Sequence, residues 1–255
     1  MTSASTIRVE ARDGVGWITL DRPPLNVLNI AMMRELGAAV ERLAPENRFL
    51  IFQGAGTKGF SAGADVGDHS PERVGEMLEA FHGVFRRLWA ADCLTVAAVH
   101  GWCLGGGCEL ACFCDFVVAA ESAVFGQPEI KLGAVPPVAM VWLPRLVGPR
   151  AAWDIILTGR NVPAGEAQKM GLVTRLATEE GLGETVRSLV GEMEALSPAV
   201  LKMARDQLRA RLGMDFESEL AEVERFYLGR LMRTSDAAEG IRAFLDKRAP
   251  AWTGR

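Results

Sequence analysis

What this 255-residue chain lacks narrows its identity quickly. It has no long hydrophobic run. Leu94 to Ala120 is broken by His100, Glu109 and Asp115, and Leu132 to Leu143 is short and holds two prolines. A bilayer span needs about 20 consecutive apolar residues, so no membrane-spanning helix is expected. It has no excess of positive charge either: 28 Lys and Arg against 32 Asp and Glu leave a formal net charge of −4. Nucleic-acid binding needs a basic stripe, and none is visible. Met1 to Glu10 is small and polar, unlike the apolar segment of a secretory leader. The expected compartment is the cytoplasm.

Metal and cofactor signatures are missing as well. The three histidines, His69, His82 and His100, are scattered. Of five cysteines, Cys103, Cys108, Cys112 and Cys114 cluster, but without paired C-x2-C modules. They sit among Leu104, Leu110, Ala111 and Phe113, where a free thiol behaves as a small buried hydrophobe. No metal site is expected. There is no G-x-S-x-G nucleophile elbow, no Gly-Lys-Ser/Thr phosphate loop and no G-x-G-x-x-G.

What is present is ordinary in bulk, 49% hydrophobic and 24% charged, enough for one large domain or a core with a helical appendage. Trp17–Leu20, Phe49–Phe52, Leu94–Val99 and Phe116–Ala119 read as strands. Asn29 is placed to cap a helix through Met33, Leu36, Val40 and Leu43, and Ser70-Pro71 opens a second through Val74, Met77, Phe81, Phe85 and Leu88. This alternation implies an α/β core. Beyond Pro149 the pattern turns helical, with helices expected from Pro163-Ala164, over Glu184–Leu196, over Asp215–Arg233 and over Asp236–Arg248. A boundary near Ser197 would separate a core, residues 1–196, from a helical region, residues 197–255. The last helices are too amphipathic to stand alone, so packing on another subunit is expected.

Two glutamates twenty positions apart carry the chemistry. Glu109 follows Gly105-Gly106-Gly107-Cys108, and Glu129 lies in Phe125-Gly126-Gln127-Pro128-Glu129-Ile130. Both carboxylates are set in apolar, glycine-rich segments where charge is a liability. Bare backbone near Gly106 can bring an N–H donor to a ligand at the positive end of a helix. Paired carboxylates beside such a donor suit proton transfer next to an oxyanion. A salt bridge from Glu129 to Lys131 is the structural alternative. Gly59-Phe60-Ser61-Ala62-Gly63-Ala64-Asp65-Val66 reads as a tight turn whose Ala64 N–H can face a pocket, with Asp65 capping the helix or turn after it. His69 is read as a pocket-rim residue.

Taken in order, these segments resemble the enoyl-CoA hydratase/isomerase (crotonase) family. The likeness rests on Phe60–Asp65, on Ala98–Gly101 running through Gly105–Ala111, and on Phe125–Glu129. It extends to Leu157–Arg160, to Ala167-x3-Gly171-Leu172-Val173, and to Glu239-Gly240-Ile241-x2-Phe244-Leu245-x-Lys247-Arg248. The resemblance implies a spiral of ββα turns with a C-terminal helical trimerisation region, commonly assembled as a homotrimer or a dimer of trimers. It implies an acyl-CoA thioester substrate and no cofactor. The Ala64 and Gly106 N–H groups would form the oxyanion hole, and Glu109 and Glu129 would be catalytic. Ala62, Ala64, Asp65, Val66 and Gly67 would lie along coenzyme A, with Phe244 and Lys247 of a neighbouring subunit at its adenine end. Many relatives carry lysine where this chain has Gly67. Glycines expected after the second glutamate are replaced by Val135, Pro136, Pro137 and Met140, read here as the acyl pocket. That stretch, with Asp65–Glu72, is similar to the cyclohexa-1,5-diene-1-carbonyl-CoA hydratases. An enoyl-CoA isomerase and a non-catalytic acyl-CoA-binding relative are the competing expectations.

Overall fold

In a computed structural model of the chain, residues 5–213 and 215–255 are described. Residues 1–4, part of the leader reading, lie outside them. The chain opens with strands β1 (Ile7–Arg12) and β2 (Val15–Leu20), then helix α1 (Ile30–Leu43). Asn29 does cap α1, its side chain accepting from the Met32 N–H at 2.9 Å.

Three turns of one pattern come next: β3 (Phe49–Gly54), β4 (Gly59–Ser61) and α2 (Val74–Ala90); β5 (Leu94–Val99), β6 (Trp102–Leu104) and α3 (Gly106–Phe113); β7 (Phe116–Ala120), β8 (Val124–Gly126) and α4 (Pro137–Val147). The first strand of each turn enters a six-stranded sheet of order β1-β2-β3-β5-β7-β10. The second enters a four-stranded sheet of order β4-β6-β8-β9. This is the ββα spiral that the sequence implied, with parallel pairing wherever consecutive turns meet. The remaining elements are α5 (Pro149–Thr158), β9 (Asn161–Pro163), α6 (Ala164–Met170), β10 (Arg175–Ala177), α7 (Leu182–Glu194), α8 (Pro198–Arg211), α9 (Phe216–Gly229) and α10 (Ser235–Leu245).

Alternation along the strands divides the core in two. Leu50 and Phe52 face the main cluster with α1, α2 and α3, while Phe49 and Ile51 face Val186, Leu189, Val190 and Met193 of α7. The large sheet is therefore covered on both faces, which is why β5 is buried along its whole length.

The expected C-terminal helices shift in detail. The helix expected from Asp215 to Arg233 ends at Gly229, and Leu231–Arg233 forms a separate 3-10 turn. Helix α8 has no counterpart in the sequence reading because its buried side is basic. Arg205 and Arg209 point inward, while Val200, Met203 and Leu208 are exposed. Helix α4 was hidden by its prolines, although Pro137 stands in the first turn, where a missing N–H costs nothing. Residues on both sides of Ser197 share one core: Phe216, Leu220 and Tyr227 of α9 belong to the same buried cluster as Phe85 and Phe113.

Candidate active site

The site grows from the junction of the two sheets. Leu28 pairs with Ala64 as an isolated parallel bridge, its N–H donating to Gly63 O and its carbonyl accepting from Asp65 N, each at 2.9 Å. Bridging of that kind leaves the N–H of Ala64 itself directed away from Leu28. Gly106 is the first residue of α3, so its N–H has no partner within the helix and sits at the positive end of the helix dipole. The two amides are neighbours: a Cβ built on Gly106 would lie 3.4 Å from Ala64 N and 2.9 Å from Phe81 Cζ. Only glycine admits that approach. Gly105, at φ 51°, plays the same part for the acid: a Cβ there would meet Glu129 Oε1 at 2.5 Å.

Glu109 lies in the first turn of α3, and all eight residues of that helix are buried. Its Oε1 accepts from the Ala139 N–H at 2.8 Å, a donor of the buried first turn of α4 that has no partner within the helix. Burial pushes its carboxyl up to about 8, against a smaller pull from the Ala139 N–H. Glu129 stands in the 3-10 turn Pro128–Leu132, and its Oε2 is buried with no hydrogen-bond partner among the described residues. Burial first, and then the neighbouring Glu109 carboxylate, hold Glu129 well above the usual carboxylate range. No salt bridge to Lys131 forms; that lysine is exposed on the cavity wall. Like-charged groups that act on each other in this way share a titration, and the pair favours one negative charge over two.

A cavity of about 440 Å³ runs up to Glu129. One wall is Ala62, Gly63, Ala64, Val66 and His69; the other is Gly240, Ile241 and Phe244 with Arg248 and Pro250. His69 is a wall residue, its Nδ1 3.0 Å from Asp65 O, and burial holds its imidazole toward the neutral form. Asp65 caps the turn after it, accepting from Gly67 N at 3.1 Å. Gly67 is half-buried and stands off the wall. Phe244 of this chain lies on the cavity wall. Lys247 is exposed and off the wall.

The acyl-pocket expectation fares differently. The wall reaches Ala134 and includes none of Val135, Pro136, Pro137 or Met140. Pro136 and Pro137 are buried where they open α4, and Met140 turns outward from it. The helix that starts there aims the Ala139 N–H at Glu109. Sequence reading missed Ala134, Ile241, Arg248 and the Ala139 donor. Nothing local marks them, since each depends on a long-range contact.

Among the described residues, no group of three or more His, Cys, Asp or Glu is arranged to hold a metal ion. The five cysteines are buried and unbridged. No helix among them is long and apolar enough to cross a membrane.

With this geometry in view, residues 10–255 match the enoyl-CoA hydratase/isomerase family. The chain belongs to that family. A probable enoyl-CoA hydratase of Mycobacterium bovis is 39% identical over 98% of both chains. A cyclohexa-1,5-dienecarbonyl-CoA hydratase of Thauera aromatica is 35% identical, covering 93% of this chain and 92% of that protein. Among solved structures, an enoyl-CoA hydratase from Mycobacterium avium subsp. paratuberculosis superimposes with a TM-score of 0.88 at 27% identity, covering 97% of this chain and 98% of that one.

Proposed function

We propose that this protein adds water across the C=C bond of an α,β-unsaturated acyl-CoA thioester. The observation that carries the reading is the pair of buried carboxyls, Glu109 and Glu129, beside the Ala64 and Gly106 N–H groups, which have no backbone partner among the described residues. The Ala64 and Gly106 amides receive the thioester oxygen, where negative charge builds as an enolate forms. Each such donor contributes about 3–4 kcal/mol in comparable oxyanion holes.

The two acids divide the work. Glu109, the easier to ionise, takes a proton from water as the hydroxide oxygen bonds to Cβ. The π electrons pass to the enolate oxygen. Glu129, held protonated by burial and by its neighbour, then gives its proton to Cα. The carboxyl proton thus ends on Glu109 instead of Glu129, and exchange with solvent resets the pair. The chemistry calls for no metal or redox cofactor.

Residues 62–67, with Phe244 and Lys247, would take the coenzyme A arm. Lys131 places a cationic side chain on the wall that leads there. Residues 197–255 would serve as the oligomerisation region of a homotrimer or a dimer of trimers. The exposed Val200, Met203 and Leu208 on α8 support this, because isolated domains rarely leave such a stripe in water. A cyclic dienoyl thioester is the narrower substrate reading, supported by the Thauera relative.

Hydration of crotonyl-CoA should be followed beside cyclohexa-1,5-diene-1-carbonyl-CoA, with Glu109→Gln and Glu129→Gln as controls. Turnover lost in both variants supports the reading, and the preferred thioester selects the acyl class. Double-bond migration that survives in Glu109→Gln, with no hydration in the unmodified protein, would replace the hydratase reading by the isomerase.

A further inference from the structure

The two acids are held in place by different means. Glu109 sits on a buried helix and accepts from the Ala139 N–H at 2.8 Å. Glu129 Oε2 has no hydrogen-bond partner among the described residues, and the residue belongs to a short 3-10 turn, Pro128–Leu132. The placing of its carboxyl therefore falls to whatever packs on that turn.

Bare backbone does the packing. On the α10 side, a Cβ on Gly240 would collide with the Leu132 carbonyl and lie 2.9 Å from Gly133 N. Across the same seam Gly133 stands at φ 68°, and a Cβ there would meet Asp236 O at 2.7 Å and Ala237 Cα at 3.1 Å. Gly133 also closes the turn, its N–H donating to Ile130 O at 3.3 Å, while the Ala134 N–H donates to Glu129 O at 3.0 Å. On the α5 side, a Cβ on Gly159 would lie 3.1 Å from Ile130 Cγ2 and from Lys131 Cε, and 3.4 Å from Pro128 Cα. At its far end the Glu129 carboxyl abuts Gly105, where a Cβ would meet Oε1 at 2.5 Å. A close-packed interior transmits strain. A methyl on Gly240 meets backbone, which cannot swing aside as a side chain can, so α10 and the turn must part.

We infer that Gly240 is a positioning residue for the reaction: its bare Cα seats α10 directly on Leu132 and Gly133, and that seat sets where the Glu129 carboxyl meets the substrate Cα. Gly159 backs the same turn from α5. This rests on the acyl-CoA reading above, in which Glu129 gives up the proton. Helix α10 then serves the chemistry as well as the cavity wall that Ile241 and Phe244 build.

A double substitution separates positioning from packing. Steady-state hydration would be measured for Gly240→Ala, alone and combined with Glu129→Gln. The substrate is whichever of crotonyl-CoA and cyclohexa-1,5-diene-1-carbonyl-CoA the unmodified protein turns over, with end-point product analysis for slow rates. Alone, Gly240→Ala should lower kcat about 10- to 100-fold with KM changed less than about 3-fold. In Glu129→Gln the same methyl should alter the residual rate less than about 2-fold, because the proton it misplaces is already gone. Gly191→Ala in α7, where a Cβ meets nothing within 4 Å, should match the unmodified protein. If Gly240→Ala does not fold, Gly159→Ala repeats the comparison with a milder fall, about 3- to 10-fold in kcat, since the side-chain atoms it meets can give. Equal loss with and without Glu129, loss confined to KM, or no loss at all overturns the proposal. Absence of hydration by the unmodified protein with either thioester would instead sink the acyl-CoA reading, and this proposal with it.

Discussion

Asp115 and Glu109 are both carboxylates held inside the fold, but their surroundings differ sharply. Asp115 Oδ2 accepts from the Thr95 N–H and hydroxyl at 2.8 and 2.9 Å, and its Oδ1 meets Arg205 and Arg209 at 3.1 and 2.9 Å. The arginines in turn donate to the carbonyls of Ala91, Leu88 and Trp89, so the cluster ties α8 to the end of α2. Glu109 has one backbone donor and another acid for company, and Glu129 Oε2 has no partner at all among the described residues. Charge that is buried and paired fastens one part of the chain to another. Charge that is buried and set against like charge destabilises the empty fold, and the gain comes only when a ligand arrives.

The contrast can be broken hardest at the acids. Glu129→Gln and Glu109→Gln should each lower the hydration rate by about 10²- to 10⁴-fold, the range for a lost general acid or base, with an unchanged circular dichroism spectrum. Gly106→Ala attacks the donor side instead. The new methyl meets Phe81 and crowds the Ala64 amide, so kcat should fall about 10²- to 10³-fold, as when one oxyanion donor is removed. Steady-state assays on the three variants measure both effects.

At the paired cluster the sign of the outcome changes. Asp115→Ala leaves two arginines buried without an anion and should cost about 3–5 kcal/mol of stability in denaturant unfolding. Activity per folded molecule should hold, because Asp115 touches no part of the cavity wall.

The remaining effect is in pH. The Glu109 carboxyl titrates near 8 when folded and near 4.5 ordinarily. Between those values the folded state holds more protons than the unfolded state, so stability falls as pH rises. In Glu109→Gln that segment of the slope should become shallower, with the remainder belonging to Glu129. On the rate side, kcat/KM should climb toward pH 8 as the pair gains its first charge, then fall at higher pH as Glu129 loses its proton.

Much of the site was legible because local chemistry marks it. Glu109 and Glu129 declare themselves by sitting in apolar segments, and the glycines before Glu109 advertise a close approach. The ββα spiral was legible through family likeness more than through propensity, since β4, β6, β8 and β9 have only three residues each. The rest depends on the distant chain. Arg205 and Arg209 invert the usual pattern of α8, so no inward apolar stripe marks it. Val135 to Met140 read as a pocket lining because they are bulky and apolar, and they also launch the helix that supplies the Ala139 donor.

The most direct measurement is the unfolding free energy of the unmodified protein and Glu109→Gln, side by side at pH 8. A Glu109 held in the fold against its own charge makes the variant inactive in hydration and yet more stable, by at most about 4–5 kcal/mol for a shift from 4.5 to about 8. A variant of equal or lower stability would contradict this account, because the Glu109 charge would then be compensated as fully as that of Asp115.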